Sequence, residues 1–230
     1  MPEYRLVYFD IRGLAEPIRW MFAIAGKNFT DERIPLDQWP REKIRFNEHV
    51  GQLPLLYVDD VLLTQVHACM RYVARRFGFN GATEKEEARA DEATELIYDL
   101  RLCCVAYKDS FESATPDIVR HTVFRDFHKE QSIVKKARMR KHLVEDYFPK
   151  YFTKFAELLE EAGGQWIAGP QLTYADLALA NFLDVAETMV NPDVLNGYPT
   201  LRQLKKEVFA IPEIQKFIEA TLNKTCMIGG

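Results

Sequence analysis

The apolar positions of this chain change period once, near residue 80. Tyr4–Phe9 (YRLVYF) is dense in aromatic and β-branched residues and predicts a strand. Between Ala15 and Ala25, Ile18, Met21, Phe22 and Ala25 share one helical face, and Gly26 supplies a stop. Asn28–Ile34 is polar and apolar by turns, as a second strand is. Pro35–His49 has no clean period: Trp39-Pro40 predicts a loop and Arg41–Asn47 a short helix. Leu55–Val58 and Val61–Thr64 are apolar runs separated only by Asp59-Asp60, which predicts a tight hairpin. Gln65 then opens a helix in which Val66, Cys69, Met70 and Val73 recur at helical spacing as far as Phe77-Gly78. Strand, helix, strand, helix, hairpin, helix is the order of a small α/β unit with a mixed sheet.

Beyond a Phe79–Ala82 linker the period is helical throughout. Thr83 and Glu86 form a capping-box signature. Ala93, Leu96, Ile97, Leu100, Cys103, Cys104, Tyr107 and Phe111 then mark a helix of about seven turns. Leu143–Ala162, Tyr174–Glu187 and Thr200–Val208 carry the same period, with a shorter helix after Pro212 and no convincing strand. Thr173 and Asp176 form a second capping box, with Leu172 placed to staple onto Leu177, which is a folding signal rather than a catalytic one. The pattern therefore predicts an α/β unit over 1–80 and an all-helical unit over 83–230.

Composition narrows the function classes. Hydrophobic residues at 47% and charged residues at 28% fit a soluble globular chain, and a net charge of −4 gives no reason to expect nucleic acid. No apolar run approaches the roughly 20 residues of a membrane span, and the N-terminus lacks the long apolar segment of a secretory signal. Cys69, Cys103, Cys104 and Cys226 form neither a C-x-x-C pair nor a metal-ligand spacing, which leaves a reduced, cytoplasmic protein as the expectation. His121–His142 is rich in Lys and Arg against two acids, and reads first as a solvated helix face or loop, second as a contact for an anionic surface. His121, His128 and His142 stand seven and fourteen residues apart, and at about 10 Å per seven-residue step they do not share a metal.

Candidate chemistry gathers around Gly51–Arg71. Gln52-Leu53-Pro54 is a candidate cis-proline turn that presents the Leu53 backbone to an extended peptide. Thr64-Gln65-Val66 sits where a helix N-terminus favours a carboxylate. Trp39 and Lys43, four apart, are placed to clamp a second carboxylate. Tyr8, at the carboxyl end of the first strand, is taken alone more often a core residue than a catalytic one. With an ordinary pKa of about 10 it is a hydrogen-bond donor, and offered to a thiolate it would lower a thiol's pKa from about 8.5. Together these parts suit a short peptide with two carboxylates and one thiol.

On Tyr8-Phe9, Arg12-Gly13 with Ala15-Glu16-Pro17-Ile18-Arg19, Trp39, Lys43, Gln52-Leu53-Pro54, Gln65, Arg71-Tyr72 and the Thr173–Asp176 box, the chain resembles the cytosolic glutathione transferases, most of all the sigma class. The resemblance covers nearly the whole chain. It implies a thioredoxin-like N-terminal domain, an all-α C-terminal domain and a homodimer. It further implies that Tyr8 stabilises the glutathione thiolate, that Trp39, Lys43, Gln52, Leu53, Gln65 and the backbone of Val66 hold the tripeptide, and that Asp99 contacts glutathione bound to the partner subunit. The implied activity is conjugation of glutathione, the co-substrate, to small hydrophobic electrophiles with no metal and no permanently bound cofactor. The electrophile pocket falls to helices such as the one carrying Tyr107 and Phe111.

Three features depart from the family pattern. Val66 stands where a serine usually meets the γ-glutamyl carboxylate, a bond worth about 1.5–3 kcal/mol. Leu14 stands where many sigma-class relatives carry an arginine, and the basic segment is longer than usual. A weakly active structural relative of the S-crystallin kind is therefore the alternative. Glutathione-dependent prostaglandin isomerisation is a third reading, weakened by Tyr98 standing where an acid would be expected beside Glu95 and Asp99.

Overall fold

The computed structural model describes residues 2–49, 51–106 and 132–222. Tyr107, Phe111, His121, His128 and Cys226 lie outside the described residues, as do the side chains of Cys103 and Cys104.

Strand β1 (Tyr4–Phe9) runs parallel to β2 (Thr30–Ile34) and antiparallel to β3 (Leu55–Val58), which pairs with β4 (Val61–Thr64) in the order β2-β1-β3-β4. Helix α1 (Glu16–Ile24) makes the crossover that parallel β1 and β2 require. The period of two sorts the side chains of β1. Tyr4, Leu6 and Tyr8 point into the large core shared with the helices, whereas Val7 joins Ile34, Phe46 and Leu55 in a small core on the other face. A strand buried on both faces is why YRLVYF reads as nearly continuous hydrophobicity. Helix α3 (Val66–Phe77) follows the hairpin and ends at Gly78, whose φ of +81° provides the left-handed cap.

Between the second strand and the hairpin the loop expected at Trp39-Pro40 is corrected: α2 (Trp39–Glu42) begins there and passes into a 3-10 helix over Lys43–His49. Proline is compatible with a first helical turn because the N–H it lacks has no intrahelical partner there.

The helical part comprises α4 (Glu84–Ala106), α5 (Ile133–His142), α6 (Phe148–Glu161), α7 (Tyr174–Met189), α8 (Pro199–Phe209) and α9 (Pro212–Leu222). Helix α5 is the end of the basic segment: it starts at a Ser132 cap, buries no residue, and keeps its cations in solvent. The helical stretch expected over Leu143–Ala162 is found, and it opens with a wide π-helical turn at Leu143–Tyr147 just before Pro149. Proline in a helix interior removes one bond and crowds the carbonyl four residues earlier, and the wider turn absorbs this.

Helix α7 is buried on nearly every side from Tyr174 to Leu183 and packs against α1, α4 and α8. The Tyr174 N–H donates to the Phe79 carbonyl at 2.9 Å, and Trp20 of α1 meets Phe209 of α8 edge to face at 5.3 Å. One apolar cluster thus runs from Leu6 of the sheet to Leu204 of α8. The sheet and the helical bundle share a core.

Candidate active site

The carboxyl end of β1 is held by a buried arginine. Arg19 of α1 is fully buried. It donates to both Asp31 carboxylate oxygens at 3.1 Å, to the Ile11 carbonyl at 2.8 Å and to Glu16 at 3.1 Å. An unpaired buried charge is costly, and five planar donors allow one arginine to satisfy several acceptors at once. Arg19 therefore fixes the loop that follows Phe9. From the helical side, Arg12 pairs with Asp184 of α7 at 2.7 Å, and Asn181 donates to the Gly13 carbonyl at 2.9 Å.

These contacts place Tyr8. Its hydroxyl oxygen accepts the Leu14 N–H at 3.1 Å. Burial raises its pKa, opposed by the Leu14 bond and then by the charges of Arg101 and Arg19. At neutral pH the phenol keeps its proton, and accepting one bond polarises it to donate another. Gly13 makes the approach possible: its φ is +47°, and a Cβ there would lie 2.7 Å from the Tyr8 hydroxyl oxygen. Gly13→Ala is expected to destabilise the fold by at least the roughly 1–2 kcal/mol of left-handed strain, with the clash in addition, read from the urea midpoint.

The Leu53–Pro54 bond is cis. Lys43 lies along Gly51, where a Cβ would come within 2.9 Å of its Cε and 3.9 Å of its Nζ. The Trp39 ring meets Phe9 edge to face at 5.1 Å and stacks on Phe46 at 6.1 Å. Phe9 in turn contacts Tyr8 at 5.3 Å. Trp39 is half-buried and Lys43 exposed. Gln52 is exposed and Leu53 half-buried.

Gln65 caps α3 in an unusual conformation, with φ 70° and ψ 121°. A non-glycine residue held there is strained, and such strain concentrates at binding sites. The exposed Gln65 side chain stands at the helix N-terminus, while Val66 is buried. Val66 lines a small cleft where α3 and the Leu14 loop face α4, with Leu14, Met70, Ile97, Tyr98 and Arg101. Asp99 is exposed on α4, one residue past Tyr98.

The remaining reactive side chains play no visible part. Burial pushes the Cys69 thiol up to about 12, so it stays protonated. His67 is held neutral first by burial, against the pull of Glu95 at 3.0 Å. His142 pairs with Asp146 at 2.7 Å on the exposed side of α5. Among the described residues no three His, Cys, Asp or Glu side chains come together to hold a metal, and no helix is long and apolar enough to cross a membrane.

Periodicity did not single out Arg101, Asn181 or Asp184. The signal available for Arg101 was its spacing: Thr94, Ile97 and Arg101 share an inward face of α4.

Family models for the glutathione S-transferase N-terminal and C-terminal domains match residues 5–75 and 117–221. Glutathione S-transferase 1 of Ascaris suum is 34% identical over 218 residues, covering 95% of this chain and 96% of that protein. The chain belongs to the glutathione S-transferase family. This transferase is also 32% identical to glutathione S-transferase S1 of Drosophila melanogaster, over 94% of its own length and 78% of that protein. Among solved structures it is similar to the Pi-class glutathione S-transferase of Onchocerca volvulus (TM-score 0.78, 30% identity, covering 99% of this chain and 98% of that one). Prostaglandin synthase D of Nilaparvata lugens is similar too (TM-score 0.77, 28% identity, covering 95% and 98%). The four-stranded sheet with its helical partner domain is the thioredoxin-like plus all-α architecture of these transferases.

Proposed function

We propose that this transferase conjugates glutathione to small hydrophobic electrophiles and that Tyr8 is its catalytic residue. The observation that carries this is a neutral phenol fixed at the end of β1, accepting the Leu14 N–H and keeping its own proton. A donor held in place needs no reorganisation when the thiolate forms, and it favours the ionised thiol. The thiol proton leaves to solvent, and the thiolate sulfur attacks the electrophilic carbon without a metal, forming a C–S bond as the carbon–leaving-group bond breaks and the leaving group departs as an anion, halide for an aryl halide.

Glutathione lies along the turn that carries Gln52 and the Leu53 backbone. Lys43 and Trp39 serve its glycyl end; Gln65, the Val66 N–H and Asp99 of a partner subunit serve its γ-glutamyl end. The site is therefore complete only in a homodimer. Residues 1–80 form the glutathione domain and 83–230 the domain that completes the electrophile site. The sigma class is supported by the residues that carry the resemblance. The broader role is cytoplasmic detoxification.

Retention on glutathione-agarose, with turnover of a generic aryl halide, tests the reading. Absence of both would leave a structural relative of the S-crystallin kind, which the apolar Val66 favours. The likeness to a prostaglandin synthase D supports the other reading, tested by isomerisation of a prostaglandin endoperoxide.

Val66→Ser is expected to lower the glutathione KM by about tenfold, the low end of a charge-assisted bond's worth. An unchanged KM would mean that the γ-glutamyl carboxylate is already satisfied by backbone amides and Gln65.

A further inference from the structure

Helix α5 carries five Lys and Arg and no acid in its ten residues, on a chain whose net charge is −4. Residues at i, i+1, i+4, i+5 and i+8 share one side of a helix. Counted from Ile133 these are Ile133, Val134, Ala137, Arg138 and Lys141, and all five are exposed. Met139, on the opposite side, is half-buried. Ile133 is 84% exposed and Val134 72%. The outer face is thus apolar over its first turn and cationic toward its end.

The stability of the helix does not account for this arrangement. Cations in a last turn suit the helix dipole, which covers Arg140 and Lys141. Lys135 stands instead in the first turn, where positive charge is disfavoured and no acid is present. Lys135 and Arg138, and again Arg138 and Lys141, are like charges three residues apart, a spacing at which they repel. Beyond the helix, Glu145 lies 3.8 Å from Lys141 and Asp146 2.7 Å from His142, which bounds the basic face at that end. Lys141 and Glu145 are both largely exposed, and an ion pair of that kind is weak.

We infer that the outer face of α5 docks on an anionic lipid surface. Ile133 and Val134 enter the headgroup boundary, while Arg138 and Lys141, with Lys135 from the flank, meet lipid phosphates and carboxylates. Long cationic side chains reach sideways to a polar layer while their stems cover apolar surface, so one face serves both contacts. Exposed β-branched residues beside cations favour lipid over nucleic acid, whose grooves and bases call for aromatic or base-reading side chains that this helix lacks. A second copy is disfavoured as the occupant, because a two-fold contact would set the same cations against each other. The inference does not depend on the assignment of Tyr8.

Co-sedimentation of the full chain with lipid vesicles reads the partition. Vesicles of three parts phosphatidylcholine to one part phosphatidylserine are expected to carry the protein down at low salt and to release it as salt is raised. Vesicles of phosphatidylcholine alone are expected to leave it in solution. Lys135→Gln/Arg138→Gln/Lys141→Gln is expected to weaken the partition by about 100-fold, roughly fivefold for each charge. Ile133→Gln/Val134→Gln is expected to weaken it by about tenfold while its salt dependence is kept. Helix α5 buries no residue, so both variants are expected to keep the wild-type urea midpoint. No sedimentation with the anionic vesicles, equal sedimentation with the neutral ones, or an unchanged partition in the triple variant overturns the inference. An unchanged partition in Ile133→Gln/Val134→Gln overturns it too, in favour of a general polyanion site that duplex DNA or polyglutamate would fill equally well.

Discussion

Tyr8→Phe is expected to lower kcat by about 10- to 100-fold, the worth of one hydrogen bond to a charged group, while the glutathione KM stays within a factor of about two. The asymmetry follows from where the phenol acts. Its proton meets the sulfur, and the bond gains most of its strength when the sulfur is charged; the carboxylates and backbone of the tripeptide are held elsewhere. The ring itself is retained, so its contacts with Phe9 and the packing of β1 are undisturbed. Steady-state kinetics across pH check this. The variant should recover part of its deficit as pH rises past the free thiol's ordinary value of about 8.5, where ionisation needs no help. Because burial raises the Tyr8 pKa, the wild-type phenol should remain a donor through that range. Equal losses in kcat and in glutathione affinity would assign Tyr8 to substrate binding.

Much of this fold could be read in the residues because local and global signals agree. The hairpin is the clearest case: two four-residue apolar runs and a two-residue turn leave no other economical pairing, and the register joins Val58 to Val61 as that requires. Helix α3 was equally legible, from its apolar spacing and its terminal glycine. Where two signals conflicted, one prevailed. At Trp39-Pro40 the loop signal of proline gave way to its tolerance for a first helical turn. In the basic segment the first reading, a solvated helix face or loop, left helix and loop open because the helix over Ile133–His142 has no buried face to give it a period.

The candidate site was legible only in part, for a different reason. Tyr8 alone reads as a core residue and becomes a candidate only beside the Gln52-Leu53-Pro54 turn, which stands out by residue type and place. Arg19 and Arg101 do not, because a charged residue on an amphipathic helix is ordinarily placed in water. Their burial depends on partners distant in sequence or on the opposite domain: Asp31 for Arg19, and the ring of Phe182 near Arg101. The strained conformation of Gln65 is likewise invisible in composition, since nothing in its type asks for a positive φ. Sequence patterns therefore put forward candidates for glutathione contact more readily than the residues that hold the loop in shape.

Asp176→Ala is expected to cost about 3–5 kcal/mol of folding stability, because it leaves several buried donors without an acceptor. The Asp176 carboxylate accepts the Ile167 N–H, the Thr173 N–H and the Thr173 hydroxyl, each at 2.7 Å. One side chain thereby caps the central helix α7 and ties it to the segment before it, and α7 carries Asn181 and Asp184 to the Gly13 loop. The loss should therefore appear in the urea midpoint first and in activity only as unfolded protein accumulates. The pH dependence has a definite sign. Burial pushes Asp176 up to about 6 from an ordinary 3.8, despite its three donors. The folded state then binds this proton more tightly than the unfolded state does. The contribution is full below the unfolded value and is lost as pH rises through about 6. The stability gap between wild type and Asp176→Ala should accordingly be wider at pH 5 than at pH 7.5, by roughly 1–1.5 kcal/mol. A gap that instead widens toward neutral pH would show that the three donors outweigh burial and hold the carboxylate ionised.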